Sequence, residues 1–164
     1  MHLRVVRAAQ ALAVGLALMG AGCALGASPL EITVLDGERS ESYRGTERVQ
    51  YYTWWADIRV RNTTNKPLHF SLDRISYGKA KDIVQAQTAK VAGRRYGEPA
   101  EEDGSDYGRL DERIAIAPGQ MIEIEDVRFE SHPESRRGKV RISVEGERTS
   151  ESEQVDFLGF RSRK

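Results

Sequence analysis

The residues able to do chemistry fall into three groups. Glu98, Glu101, Glu102, Asp103 and Asp106 put five carboxylates within nine residues, with Gly104 to turn the chain, and carboxylates are the hard oxygen donors that calcium takes. Their spacing does not fit an EF-hand loop, and a block of like charge is equally a solvated loop. Tyr51, Tyr52, Trp54 and Trp55 gather both tryptophans of the chain into five residues, an aromatic density suited to a core, to protein recognition or to stacking on sugars. Asp57, Arg59 and Arg61 follow at every second position, either as a solvated charge ladder or as the polar rim of an interface. Cys23 is the single cysteine, so no intrachain disulfide forms.

Nothing else in the chain suggests catalysis. His69 and His132 lack metal-ligand spacing, and there is no Gly-x-Ser-x-Gly, phosphate-binding loop or HExxH pattern. Asp57 and Asp73 are the kind of distant carboxylates that glycoside hydrolysis pairs, but no spacing rule links them. The expectation is a protein that is not an enzyme and carries no cofactor.

At 164 residues, 39% hydrophobic and 30% charged, the composition is that of one globular domain rather than a multi-span membrane protein. Basic and acidic residues balance at 25 each, which removes the basic excess that phosphate backbones select, so no nucleic-acid partner is expected.

The N-terminus is unlike the rest. Arg4 and Arg7 precede an apolar run from Ala11 to Met19, and no acid occurs before Glu31. A basic start followed by about 7–15 apolar residues and then small ones is the build of a secretory signal, shorter than the roughly 20 apolar residues of a membrane span. Gly20-Ala21-Gly22-Cys23 resembles the lipobox of bacterial lipoproteins, with Gly20 where that family prefers Leu. The resemblance implies a signal peptide over 1–22, acylation of Cys23 and a short tether to residue 29. Two acyl chains already give stable anchoring, so the membrane is a partner through the lipid on Cys23. Ala24, rather than Asp, implies outer-membrane sorting, with the domain on the periplasmic side of the cell envelope. Loss of residues 1–22 removes Arg4 and Arg7 and no acid, leaving 23 basic against 25 acidic residues.

The elements that must position these groups have a period of two. Leu30, Ile32 and Val34 share one face of a strand that Asp36-Gly37 is expected to close, with 36–48 as a loop. From Tyr51 to Arg61, Tyr52, Trp54, Ala56, Ile58 and Val60 alternate with polar or amphipathic partners, which predicts an inward Trp54 and an outward Tyr51 and Trp55. Asn62 to Pro67 supplies turn chemistry, and Leu68, Phe70 and Leu72 then complete an expected hairpin. Ile114 and Ile116, Pro118-Gly119, then Ile122 and Ile124 read as a second pair, and a phase change before Val127 and Phe129 predicts a β-bulge near Glu125-Asp126. Val140, Ile142 and Val144 form a further strand, and 155–160 a last one. Residues 78–112 read as a polar insertion, with a short helix or weak strand over 79–91.

The segments IRVRNTTNKPLHF, IAIAPGQMIEIEDVRF and GKVRISV resemble the immunoglobulin-like sandwiches of bacterial envelope lipoproteins, across Leu30 to Val144. That implies an all-β fold, an immunoglobulin-like antiparallel β-sandwich over 30–164 behind the signal peptide, acting as an accessory or assembly module. The expected function is binding of an envelope protein partner through Tyr51, Trp55, Asp57 and Arg59. The alternatives are a cation- or glycan-binding module using the acidic loop 98–106, with Glu101, Glu102, Asp103 and Asp106 as metal candidates, or a structural spacer. Replacing Cys23→Ala is expected to leave an uncleaved or a soluble precursor. Intact mass and partition after an alkaline wash check this; a variant that keeps the wild-type mature mass and stays with membranes contradicts it.

Overall fold

The computed structural model describes residues 27–79, 82–97 and 107–163. The strands are Leu30–Arg44 (β1), Val49–Asn62 (β2), Leu68–Ser71 (β3), Ile75–Lys79 (β4), Asp82–Gln85 (β5), Thr88–Val91 (β6), Arg94–Gly97 (β7), Arg113–Ile116 (β8), Met121–Ser131 (β9), Arg137–Ile142 (β10), Ser150–Asp156 (β11) and Arg161–Ser162 (β12). One sheet has the order β12-β1-β2-β9-β6-β7, a second the order β11-β10-β4-β5, and β3 pairs with β8. The chain is thus an all-β sandwich. Among the described residues there is no α-helix, and no helix long and apolar enough to cross a membrane.

β2 explains the sandwich best. Tyr52, Trp54, Ala56, Ile58 and Val60 are all buried, while the residues between them are only half-buried, as the alternation predicts. Trp54 is fully buried and stacks on Phe129 and Phe157 at centroid distances of 4.5 and 5.4 Å. Tyr77 from the other sheet meets it edge-on at 4.5 Å, and the Trp54 indole N–H donates to Ser131 Oγ at 3.1 Å. Both sheets therefore close on one aromatic cluster, whose geometries are the offset and edge-on arrangements that ring quadrupoles favour.

β1 does not stop at Asp36-Gly37. It shifts register between Val34 and Asp36, then pairs with β2 as far as Arg44 opposite Val49. The expected 36–48 loop is therefore strand to Arg44, with the turn at 45–48. Gly37 sits opposite Ala56, and the Phe160 ring occupies the space that a side chain at 37 would need: a Cβ there would lie 2.5 Å from the ring. This glycine marks a close approach inside a strand, not an end.

Both hairpins expected on either side of a turn resolve differently. β2 pairs with β1 and β9, whereas β3 pairs with β8, so the segments flanking 62–67 and those flanking Pro118-Gly119 each diverge to different sheets. Asn62 makes the divergence possible. Fully buried, it donates through Nδ2 to the carbonyls of Lys66 (2.8 Å) and Ile116 (3.0 Å) and accepts at Oδ1 from the Thr64 amide and hydroxyl, each at 2.8 Å. One amide satisfies the backbone of both crossing connections.

The described residues from 78 to 97 are mostly strand rather than insertion, β4 and β5 in one sheet and β6 and β7 in the other, while 107–112 is an irregular stretch with a turn before β8. The predicted bulge is present. Ala56 faces Val127 and Ile58 faces Ile124, leaving Glu125 and Asp126 against Asp57 alone, with Asp126 at φ 49°. β10 ends at Ile142, Val144 is buried beyond it, and the last stretch is a single 3-10 turn, Phe157–Gly159, between β11 and β12.

Tyr77 ties this core to pH. Its hydroxyl donates to the Arg136 carbonyl at 2.7 Å, and burial, helped by the negative charge of Asp156, raises the phenol well above its ordinary value near 10. The unfolded chain ionises this group near pH 10 while the folded chain does not, so its contribution is complete below pH 10 and is lost as pH climbs beyond it. Tyr77→Phe is expected to flatten the alkaline fall in stability by roughly one proton's worth of slope. Denaturant titrations between about pH 9 and 11.5 read this; identical slopes for the two proteins contradict it.

Candidate functional site

The outer face of the six-stranded sheet carries the residues singled out by alternation. On β2 these are Tyr51, Thr53, Trp55, Asp57, Arg59 and Arg61, flanked in register by β1 and β9. Their surroundings differ along the strand. At one end, Tyr51 meets His132 edge-on at 5.7 Å and lies under the Arg44 guanidinium, 5.3 Å from its ring centre. At the other, Arg59 donates to Glu123 through Nε and Nη2 at 3.1 and 2.7 Å, and Arg61 pairs with Glu31 at 3.9 Å. These exposed pairs are worth a fraction of a kcal/mol each and tie Arg59 and Arg61 to the neighbouring strands.

Asp57 serves the backbone. Its Oδ1 accepts the Asp126 amide at 3.0 Å, holding the left-handed residue of the β9 bulge. An aspartate at a left-handed position with an aspartate side chain fixing its amide is the local chemistry such bulges use.

Trp55 is the ridge between two hollows. Its cross-strand neighbours are Glu38 on β1 and Arg128 on β9, and the Arg163 guanidinium lies over its ring, 4.4 Å from the centre. The smaller hollow, about 180 Å³, is lined by Asp36, Glu38, Asp57 and Asp126 with Arg161, which pairs with Asp36 at 2.6 Å. The larger, about 410 Å³, has Thr53, Lys90, Arg95, Tyr107, Arg128 and Arg163 among its walls, with Asp126 as its carboxylate. It shares Thr88, Tyr107 and Arg128 with a further recess of about 800 Å³ that runs past Gly97 to Leu110 and Asp111. A groove thus leads from Trp55 across β6 and β7.

The groove's cations are held in place from outside. Lys90 donates to Glu125 at 2.7 Å, and this bond and the charge behind it raise the ammonium above its ordinary value, so it stays protonated at neutral pH. Arg128 Nη2 donates to Glu130 at 3.0 Å, and Glu130 also takes Arg44 at 2.5 Å. Arg95 Nη1 donates to the Tyr107 hydroxyl at 3.3 Å, and Arg163 Nε lies 3.6 Å from Glu38. Arg128 Nε is enclosed and has no hydrogen-bond partner.

The structure therefore brings Trp55 and Asp57 together around one hollow, and separates Tyr51 and Arg59 from it. Cys23, Glu101, Glu102, Asp103 and Asp106 lie outside the described residues, as does Glu98. Among the described residues no group of three or more His, Cys, Asp or Glu side chains is placed to hold a metal ion. Sequence reasoning missed Lys90, Arg95, Tyr107, Arg128 and Arg163. The phase change at the bulge already implies that Arg128 points outward between Val127 and Phe129; Lys90 and Arg95 come from strands β6 and β7, and Tyr107 and Arg163 from residues outside the strands, whose placement no local pattern reveals.

The fold and this face define the protein as an all-β sandwich with a charged, aromatic-ridged groove on the outside of its larger sheet. A scan against protein-family models finds no match, and comparisons with curated proteins and with solved structures find none either.

Proposed function

We propose that this chain is a lipid-anchored lipoprotein of the bacterial cell envelope, acylated at Cys23 and held on the periplasmic side of the outer membrane. Its sandwich is immunoglobulin-like, a reading supported by β9 lying beside β2 in one sheet and β10 beside β4 in the other. It works as a binding or assembly module rather than as an enzyme, and it engages a protein partner through the outer face of the six-stranded sheet. The observation that carries this reading is Trp55: a half-buried tryptophan set between an acidic and a basic hollow, at the centre of a sheet face whose other side is the core. A large amphipathic ring among fixed charges is the composition of an interface centre with its polar rim.

In-cell photocrosslinking from position 55 tests it. One dominant protein adduct, absent when the reactive residue is placed at Glu147, is the expected result. Equal, weak labelling from both positions contradicts a partner at this face.

A further inference from the structure

The free side of β1 is used unequally along its length. β12 pairs with it in parallel at Glu38 and Arg39 only, and the Arg163 amide adds one bond to the Arg39 carbonyl at 2.7 Å. From Ser40 to Arg44 the strand pairs with β2 alone. The Arg39 carbonyl thus points away from β2, and backbone groups alternate in direction along an antiparallel strand. Because the register with β2 runs unbroken from Asp36 to Arg44, Glu41 and Tyr43 also turn their N–H and C=O outward. Among the described residues no other backbone group meets them. Native sheets protect such edges with a proline or a bulge, and Ser40–Arg44 has neither.

β12 holds its place lightly. Arg161, Ser162 and Arg163 are all exposed, and the pairs Arg161–Asp36 (2.6 Å) and Arg163–Glu38 (3.6 Å) are solvent-exposed ones of small value. Firm packing ends one residue earlier, at Phe160, whose ring lies against Gly37 and 5.8 Å from that of Trp54. Yet the light segment covers the centre of the outer face, since the Arg163 guanidinium sits over Trp55, 4.4 Å from its ring centre. We propose that residues 161–163 are a displaceable strap, and that β1 from Glu38 to Arg44 is the docking edge for an extended segment of a protein partner. The segment starts on the open groups of Glu41 and Tyr43, adds as a strand beside β1, replaces β12 and lifts Arg163 from Trp55. The inference deepens the reading that this face takes a protein partner and rests on it. A strand is the selected occupant because the position already holds one and because its open continuation offers main-chain donors and acceptors, the groups that strand addition uses.

In-cell photocrosslinking of the full-length chain from Ser40, beside this edge and opposite Thr53, tests the proposal. Arg39→Cys with Ser162→Cys, which are partners in register, locks the strap through a disulfide whose formation thiol alkylation verifies; neighbouring strands lie within disulfide range. Tyr43→Pro removes an outward N–H and leaves the bonds to β2 in place, whereas Tyr43→Thr removes the ring and keeps that N–H. One dominant protein adduct is expected, reduced about fivefold or more by the lock and restored by reductant before irradiation. Tyr43→Pro is expected to reduce it about tenfold, and Tyr43→Thr to leave it within about twofold. Equal melting temperatures of the two Tyr43 variants separate lost docking from lost fold; if Tyr43→Pro unfolds, the lock with and without reductant decides. An adduct unchanged by the lock overturns the inference, as does an equal loss in both Tyr43 variants, which would make the ring and not the main chain the contact. So does an adduct from position 55 with none from position 40, and in each of these cases the partner reading stands on its position-55 adduct. No adduct from either position, with the strap locked or reduced, overturns both.

Discussion

The burial of Trp54 is the constraint on which the remaining structure depends. It is in ring contact with Phe129, Phe157, Phe160 and Tyr77, which come from β9, from the turn after β11 and from the opposite sheet. Because side chains alternate along a strand, seating this ring inward seats Trp55 outward and sets the register of β2 against both neighbours. A slip of one residue would exchange the core for the charged ladder. The bulge on β9 obeys the same constraint: Ile124 and Val127 both face inward only because Glu125 and Asp126 are taken out of phase against Asp57. The aspartate that stabilises this irregularity stands one pair along from Trp55, so the device that keeps the core continuous also shapes the wall of the outer hollows.

Two kinds of charge share the outer face. Arg59 with Glu123 and Arg61 with Glu31 are solvent-exposed cross-strand pairs of small individual value. Around Trp55 some of the same residue types are more enclosed: Arg128 and Glu130 pair with side chains only 25% and 18% exposed, and Glu125 fixes Lys90. Fixed cations are suited to recognition because little side-chain entropy remains to be lost when a ligand arrives. The face therefore divides into a part that decorates the sheet and a part that is preorganised.

How much of this was legible follows from the range of each signal. The alternation of β2, the inward Trp54 with outward Trp55, and the bulge at 125–126 are local patterns, and the sequence carries them openly. The second half of β1 is not local: Arg39, Glu41 and Tyr43 give no apolar stripe, and the strand exists because β2 pairs with it. Period two also says that a segment is a strand without saying which strand it joins. The turns at 62–67 and 117–120 look like hairpin turns, and only the buried Asn62 amide, reaching Lys66 and Ile116 together, shows that both are crossings between sheets. The groove was beyond local reading for the same reason. Lys90, Arg128 and Arg163 meet near Trp55 through β6, β9 and the residue following β12, a parallel strand only two residues long.

The central claim is that one strand divides its two tryptophans, Trp54 to the fold and Trp55 to binding. Equilibrium unfolding of Trp54→Ala and Trp55→Ala, measured side by side, tests it most directly. The account predicts a loss of about 3–5 kcal/mol for Trp54→Ala, as for a large aromatic removed from a packed core. For Trp55→Ala it predicts about 1 kcal/mol or less, the value of a surface ring and its cation contact. A comparable loss at both positions would contradict it, because Trp55 would then be part of the fold and not a surface held ready for a partner.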